Sequence, residues 1–208
     1  DTLVQPNPEK IGLFDIVNVY KKHCEGFYVR ANADSPKDAE LALKFGAEGI
    51  GLCRTEHMFF NEDRINLFRS MILSESAEER AQYLEKLKKF QVKDFYGILK
   101  VMAEKKVTIR LLDAPLHEFL PHNSQEMDAF LEYMKGNGVK ITKAELQARI
   151  DSLSENNPML GHRGCRIAVS YPEIYEMQVS AIFEAACKLR KEKYKVEPEV
   201  MIPLIMNS

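Results

Sequence analysis

The segment FYVRANADSPKDAELALKFGAEGIGLCR, at residues 27–54, contains in order the patterns of a strand, a helix and a second strand. Residues 27–32 combine aromatic and β-branched side chains, which are typical of a strand. Pro36 fits the first turn of a helix, and Gly46 ends that helix. Residues 49–54 then form a second apolar strand. Because such a unit normally joins parallel strands by a right-handed crossover, the segment predicts a parallel sheet.

The same alternation of helix and strand continues toward the C-terminus. A long helical stretch at residues 76–106 precedes a strand at 107–112. An amphipathic helix at 172–193 precedes a fourth strand at 199–205. The other predicted features are an insertion at 113–160, helical patterns within it near 124–135 and 142–153, and a short helix at 161–169. Four strands that alternate with helices predict an α/β protein whose parallel sheet is covered on both faces.

We expect this sheet to be the first half of a parallel (β/α)8 TIM-type barrel, truncated to about four strands and carrying helical insertions. The chain ends directly after the fourth predicted strand, where a parallel sheet would have an open edge. We divide it into a lead-in segment with a linker helix at residues 1–25 and a half-barrel at residues 26–208. The first residue is not Met, so we expect a longer parent protein. The alternative is a complete, small open sheet.

Composition excludes several classes of protein. Of the 208 residues, 45% are apolar and 29% are charged, which is globular composition. Lys plus Arg total 29 and Asp plus Glu total 31, so there is no basic surplus for nucleic acid. The sequence has no apolar run of about 18 residues, so we expect no membrane span. The four cysteines form no CxxC pair and no signal peptide is visible, so we expect a cytoplasmic protein with reduced thiols.

Two arginines are candidates for binding an anion. Arg54 ends the second predicted strand, and Arg110 lies in the third. A charged side chain in an apolar strand is costly unless it meets an opposite charge, and sites in barrels lie at the carboxyl ends of strands. Two guanidinium groups there would suit a carboxylate or a phosphate. The alternative, that each pairs with a structural carboxylate such as Glu56 or Asp113, stays open.

Two further residues could belong to the same site. Asp113 follows Arg110 by three residues, so it could hold that arginine or contact a substrate directly. Arg163 ends the loop at residues 157–163, which leads into a helix and could offer N–H donors to an anion.

The histidines and cysteines favour structural roles. His117 and His122 are spaced one residue too far apart for a zinc-binding HExxH pair. His57 is expected to be a partly buried histidine with its hydrogen bonds satisfied. Cys53 and Cys165 lie in apolar contexts and are expected to be packing residues. We predict no metal site within these residues.

Three segments resemble motifs of the phosphoenolpyruvate-utilising enzymes, and in detail those of the pyruvate, phosphate dikinases. They are GIGLCRTEHMFF at 49–60, RLLDAPLHEFLP at 110–121 and NPMLGHRGCR at 157–166. The motifs are long and occur in the family's order, and the resemblance covers roughly residues 27–208. Ala114 stands where that family usually has proline.

The resemblance implies the phosphoenolpyruvate- and pyruvate-binding (β/α)8 domain of an enzyme that converts ATP, pyruvate and phosphate to AMP, phosphoenolpyruvate and pyrophosphate. Such a barrel receives a phosphoryl group from a phosphohistidine domain, in a parent chain that also contains an ATP-grasp domain. The arginines matching Arg54 and Arg110 would bind the phosphoryl group and help neutralise the enolate. Asp113 and Arg163 match residues beside the same pocket.

The resemblance places the remaining machinery elsewhere. The Mg²⁺ ligands and the acid cysteine would lie on strands 5 to 8, after residue 208, and the phosphohistidine motif is absent from the sequence. We therefore expect the isolated chain to be inactive, although the resemblance allows a homodimer through the barrel. The alternatives are a phosphoenolpyruvate–protein phosphotransferase or phosphoenolpyruvate synthase barrel, and a non-catalytic binding or assembly module.

Overall fold

The computed structural model describes residue 7 and residues 10–154, 157 and 159–205. The strands are β1 (Ala31–Asn32), β2 (Gly49–Arg54), β3 (Lys106–Arg110) and β4 (Glu197–Met201). The α-helices are α1 (Leu13–His23), α2 (Pro36–Lys44), α3 (Ile65–Ile72), α4 (Ala77–Val101), α5 (Ser124–Gly136), α6 (Lys143–Leu153), α7 (Cys165–Ser170) and α8 (Pro172–Lys191). Two short 3₁₀ helices cover Thr55–Phe60 and Leu116–Phe119.

All four strands run parallel, in the spatial order β1-β2-β3-β4. Each strand therefore lies beside the next strand in sequence, as in a singly wound barrel, whereas a doubly wound sheet reverses its order at a switch point. This confirms the predicted α/β class with a parallel sheet. Closure into a complete barrel stays a prediction. The division into residues 1–25 and 26–208 also stays a prediction, and each of the two parts includes some residues outside the described ones.

The core lies between one face of the sheet and the helices. In β3, Val107 and Ile109 are fully buried against the helices, whereas Lys106 is exposed and Thr108 is partly exposed. The prediction that both faces are covered is wrong for this part of the chain. Burial alternates along the strand because helices pack on one face and polar side chains occupy the other.

Helices α4 and α8 form most of that cover. Phe95 and Ile98 of α4 have no exposed surface, and neither do Ala181 and Ala185 of α8. Small residues on α8 allow the two helices to pack closely, because little side-chain volume separates their backbones. The amphipathic helix predicted at 172–193 forms at Pro172–Lys191, and the helical stretch predicted at 76–106 forms one helix that ends at Val101.

Three strands are shorter or earlier than the sequence predicts, and the third ends at Arg110 rather than at residue 112. The first is confined to Ala31–Asn32, since Phe27 and Tyr28 lie on the surface with 60% and 65% of their area exposed. The fourth covers Glu197–Met201 rather than 199–205, because Pro203 lies in a turn. An aromatic or apolar run therefore suggested a strand before the chain enters the sheet, at residues 27–30, and after it has left the sheet, at residues 202–205.

The polar face of the sheet contains a side-chain row that crosses all four strands. Arg30, just before β1, lies over β2 and donates through Nη1 to Thr108 Oγ1 (3.2 Å) and Glu199 Oε2 (2.6 Å). These donors hold the pKa of Glu199 below its ordinary value. Two glycines of β2 leave room for this crossing, since a methyl group on Gly51 would lie 3.2 Å from Arg30 Cβ and one on Gly49 would lie 3.4 Å from Arg30 Cγ. The methyl group on Gly49 would also lie 2.7 Å from the Lys106 carbonyl oxygen of β3.

We predict that Gly49→Ala destabilises the fold by about 1–3 kcal/mol, because the added methyl group forces β2 and β3 apart. Urea or thermal unfolding followed by circular dichroism measures this. The matched control is Gly136→Ala at the end of α5, where no heavy atom lies within 4 Å of the added carbon, so stability should stay equal or rise slightly. Equal stability of the two variants would contradict the close approach at Gly49.

Candidate anion-binding site

Arg54 and Arg110 lie side by side at the carboxyl edge of the sheet. Each is the last residue of its strand, and the two Cα atoms are register partners in the β2–β3 pairing. Neighbouring parallel strands in register direct their paired side chains to the same face. The sequence predicted Arg54 at the end of its strand and Arg110 within a strand at 107–112. The structure ends that strand at Arg110, and the register places the two arginines in one row.

Asp34 holds Arg54. It is the second residue after β1, and its Oδ1 accepts from the Arg54 backbone N–H at 2.7 Å. Its Oδ2 accepts from Arg54 Nε at 3.1 Å and Nη2 at 2.9 Å. Among the described residues Nη1 of Arg54 has no hydrogen-bond partner, and 35% of the side chain is exposed. One edge of the guanidinium is therefore fixed while its tip is free.

Two buried carboxylates hold Arg110. Its Nη2 pairs with Glu56 Oε1, and its Nη1 lies 3.1 Å from Asp113 Oδ2. The Glu56 and Asp113 side chains are only 8% and 5% exposed, so each needs a counter-charge. Arg110 Nε and Glu56 Oε2 are both buried without a hydrogen-bond partner in the described part of the chain. The pair thus has hydrogen-bonding capacity left over.

Arg163 joins the cluster through Asp113. Its Nε donates to Asp113 Oδ1 at 3.2 Å, so Asp113 bridges Arg110 and Arg163. Within the described residues both Nη groups of Arg163 lack protein partners. The three arginines match three carboxylates (Asp34, Glu56 and Asp113), so an anion would be bound by directed N–H donors rather than by an excess of positive charge.

Helix α8 positions the backbone between Arg110 and Asp113. Gln178 Oε1 accepts from the Leu112 N–H at 2.9 Å, and the Tyr175 hydroxyl donates to the Leu112 carbonyl at 2.8 Å. Burial, together with the charge of Asp113, raises the pKa of the Tyr175 phenol, so it remains a protonated donor. Both backbone polar groups of Leu112, two residues after β3 ends, are thereby fixed.

The sequence left open whether Arg54 and Arg110 bind an anion or pair with structural carboxylates. In the structure Arg54, Arg110 and Arg163 each have a carboxylate partner. Glu56, two residues from Arg54 in sequence, pairs across the strands with Arg110 instead. Asp34 was not singled out as a site residue. The available signal was its position two residues beyond β1, at the sheet edge where the other strand ends meet.

The histidines occupy peripheral positions. His57 Nδ1 lies 2.8 Å from Asp34 Oδ2, so its hydrogen bond is satisfied, but the ring is exposed and the expectation of partial burial is wrong. His122 Nε2 contacts the Glu118 carbonyl oxygen at 3.0 Å. Across the described ranges, no group of three or more His, Cys, Asp or Glu side chains is arranged to hold a metal ion.

The described carboxylates do not fit a Mg²⁺ site. Hard cations take oxygen ligands that are free to coordinate, but Asp34, Glu56 and Asp113 each accept from a guanidinium. We therefore derive no step through a metal from these residues.

The cysteines differ in environment. Cys53 has no exposed surface, and burial followed by the charges of Asp34 and Glu56 raises the pKa of its thiol. Cys165 is only half-buried, and its Sγ lies 3.1 Å from the Leu204 carbonyl oxygen. Cys187 is exposed on α8. Cys53 is thus the one of these three with the surroundings of a packing residue.

In the part of the chain that the structure describes, no helix combines the length and the apolar content that a bilayer crossing requires.

A parallel sheet with a row of paired arginines at its carboxyl edge is the arrangement expected of the phosphoenolpyruvate-utilising enzymes. Residues 14–208 match the family described as PEP-utilising enzyme, PEP-binding domain, and the chain belongs to this family. The resemblance seen in the three sequence motifs is thereby confirmed.

Among individual relatives, the chain is 64% identical over 206 residues to the pyruvate, phosphate dikinase of Treponema pallidum (strain Nichols), covering 99% of this chain and 23% of that protein. It is 49% identical over 195 residues to the pyruvate, phosphate dikinase of Clostridium symbiosum, covering 93% of this chain and 22% of that protein. It is 52% identical over 179 residues to the pyruvate, phosphate dikinase of Giardia intestinalis, covering 86% of this chain and 20% of that protein. The chain thus spans about a fifth of the length of the relatives it matches.

We predict that iodoacetamide labels Cys187 in the folded chain but labels Cys53 only after unfolding. The reacting species is the thiolate, and burial both disfavours it and blocks access at Cys53. Peptide mass spectrometry before and after addition of urea measures the two positions in the same sample, so Cys187 is the internal control. Rapid labelling of Cys53 in the native protein would contradict the packing described above.

Proposed function

We propose that this chain is the phosphoenolpyruvate- and pyruvate-binding part of a pyruvate, phosphate dikinase. The whole enzyme would convert ATP, pyruvate and phosphate to AMP, phosphoenolpyruvate and pyrophosphate. The observation that supports this most directly is the register pairing of Arg54 with Arg110 at the carboxyl edge of the sheet. The names of the relatives support the choice of enzyme.

The proposed site would act through fixed donors. Transfer of a phosphoryl group to pyruvate places negative charge on a small molecule, first as an enolate and then on the phosphoryl oxygens. Donors that are already oriented stabilise such charge without reorganising during the reaction. Among the described residues, Nη1 of Arg54 and both Nη groups of Arg163 have no protein partner and would serve as such donors, and Arg110 lies beside Arg54.

Asp113 would serve mainly to orient the arginines. Both of its oxygens accept from guanidinium groups, one from Arg110 and one from Arg163. A carboxylate that is already engaged in this way repels an anionic substrate less than a free one does. Its binding role would then be indirect, through the two donors that it holds.

The remaining parts of the reaction would come from the parent protein. A phosphohistidine domain would deliver the phosphoryl group, and an ATP-grasp domain would charge that histidine. Mg²⁺ would neutralise charge on the substrate, bound by residues that follow residue 208. The parent enzyme would be cytoplasmic, and a homodimer could form through the barrel.

The other members of the family are weaker candidates. A phosphoenolpyruvate–protein phosphotransferase or a phosphoenolpyruvate synthase would use a similar barrel, but the reported relatives are all named pyruvate, phosphate dikinase. A non-catalytic assembly module would use the edge of the sheet as an interface. Light scattering distinguishes that role, because it requires the chain to associate.

We predict that Arg54→Ala and Arg110→Ala each weaken binding of phosphoenolpyruvate by about 10-fold to 100-fold, since each removes a charged hydrogen-bond donor. Titration followed by the ¹⁵N NMR signals of the arginine Nε–H groups measures binding directly. Arg149→Ala is the control, because that arginine pairs with Glu75 away from the sheet edge. Unchanged binding in both site variants would refute the proposed function.

We also predict that the chain alone does not turn over phosphoenolpyruvate and does not enolise pyruvate, because the metal ligands and the acid are expected elsewhere in the parent. Loss of the pyruvate methyl signal in deuterium oxide reports enolisation by proton NMR. Exchange above the rate of a buffer control containing Mg²⁺ would show that these residues suffice for chemistry.

A further inference from the structure

Asp34 is a central part of the site, although no sequence pattern pointed to it. Its carboxylate accepts four hydrogen bonds, three from Arg54 and one from His57. The side chain is 14% exposed, so its charge is largely removed from water. A carboxylate that engages one arginine so completely either blocks that arginine or orients it.

We propose that Asp34 is a positioning residue that holds Arg54 by its Nε edge and so presents the Nη1 tip to the phosphoryl group of the substrate. The proposal rests on the proposed function, because it assigns that phosphoryl group to the tip. Asp34 lies outside all three sequence motifs, so the proposal adds a new residue to the candidate site.

The geometry separates orienting from blocking. A guanidinium carries five N–H donors in a rigid plane, and Asp34 Oδ2 accepts from Nε and Nη2 on one side of that plane. The donors on Nη1 point away from that side. A blocking carboxylate would instead cap the tip, between Nη1 and Nη2.

The carboxylate is itself fixed in place. Asp34 Oδ1 accepts from the backbone N–H of Arg54, so Asp34 is bound to the end of β2 independently of the guanidinium. A carboxylate can only accept, so His57 Nδ1 must carry the proton that lies between it and Oδ2. His57 stands on the 3₁₀ helix directly after β2 and supports Asp34 from that side.

Arg163 is held in a similar way, which supports the same interpretation. Asp113 accepts from its Nε and leaves both Nη groups without a protein partner among the described residues. Two arginines of the cluster are thus held near the stem, with their tips available.

The test compares Asp34→Asn with Asp38→Asn, in binding of phosphoenolpyruvate and of pyruvate to the full chain. Asp34 and Asp38 both line a hollow of about 280 Å³. Among the described residues the Asp38 carboxylate bonds to Ser35, just before α2, so its variant makes the same charge change without touching Arg54. We expect Asp34→Asn to weaken binding of phosphoenolpyruvate about 10-fold, because replacing a residue that orients a binding group often costs about that factor. Binding of pyruvate, which lacks a phosphoryl group, should change much less, and Asp38→Asn should change neither.

A double-mutant cycle shows whether Asp34 acts through Arg54. In the Arg54→Ala background the effect of Asp34→Asn should disappear, whereas a merely structural role would lower binding by the same factor in both backgrounds. Equal or tighter binding of phosphoenolpyruvate by Asp34→Asn, or an undiminished effect in the Arg54→Ala background, would overturn the proposal. If Arg54→Ala and Arg110→Ala both bind normally, the proposed function fails and this inference fails with it. If Asp34→Asn has a much lower unfolding temperature than the unmodified chain, Asp34→Ser, which keeps an acceptor for the backbone N–H, replaces it.

Discussion

The pairing of guanidinium and carboxylate groups at the carboxyl edge of the sheet is the constraint on which the site depends. Arg54 and Arg110 share one register row, and Asp34, Glu56 and Asp113 hold them from the ends of three successive strands. Because these carboxylates are mostly buried, loss of one arginine would leave an uncompensated charge beside an apolar core. The same groups therefore stabilise the strand ends and orient the donors that we propose for phosphoenolpyruvate.

The rest of the sheet supports this row from below. Arg30 crosses β2 above Gly49 to reach Thr108 and Glu199, so a second polar row spans the same face nearer the amino ends of the strands. The opposite face packs against α4 and α8, and α8 fixes both backbone polar groups of Leu112, which lies between Arg110 and Asp113. One face of the sheet thus provides the core, and the other provides charge.

Sequence patterns predicted the helices well because each pattern is local. The helices at 76–106 and 172–193 repeat apolar residues at helical spacing, and both form close to the predicted bounds. The strands were less predictable, since Phe27 and Tyr28 resemble a strand but lie on the surface. The motifs contain the candidate residues Arg54, Arg110, Asp113 and Arg163, which the structure brings together, but they do not contain Asp34. Which carboxylate meets which arginine depends on tertiary register, so Glu56 pairs with the arginine of the next strand rather than with its neighbour in sequence.

The most direct test is a crystal structure of the chain grown with phosphoenolpyruvate. We predict that the phosphoryl group lies within hydrogen-bonding distance of Arg54 Nη1 and of at least one guanidinium from Arg110 or Arg163, while Asp34 and Asp113 keep their contacts with those arginines. Ordered phosphoenolpyruvate bound elsewhere, with every guanidinium tip turned into the protein or covered by a carboxylate, would contradict the site.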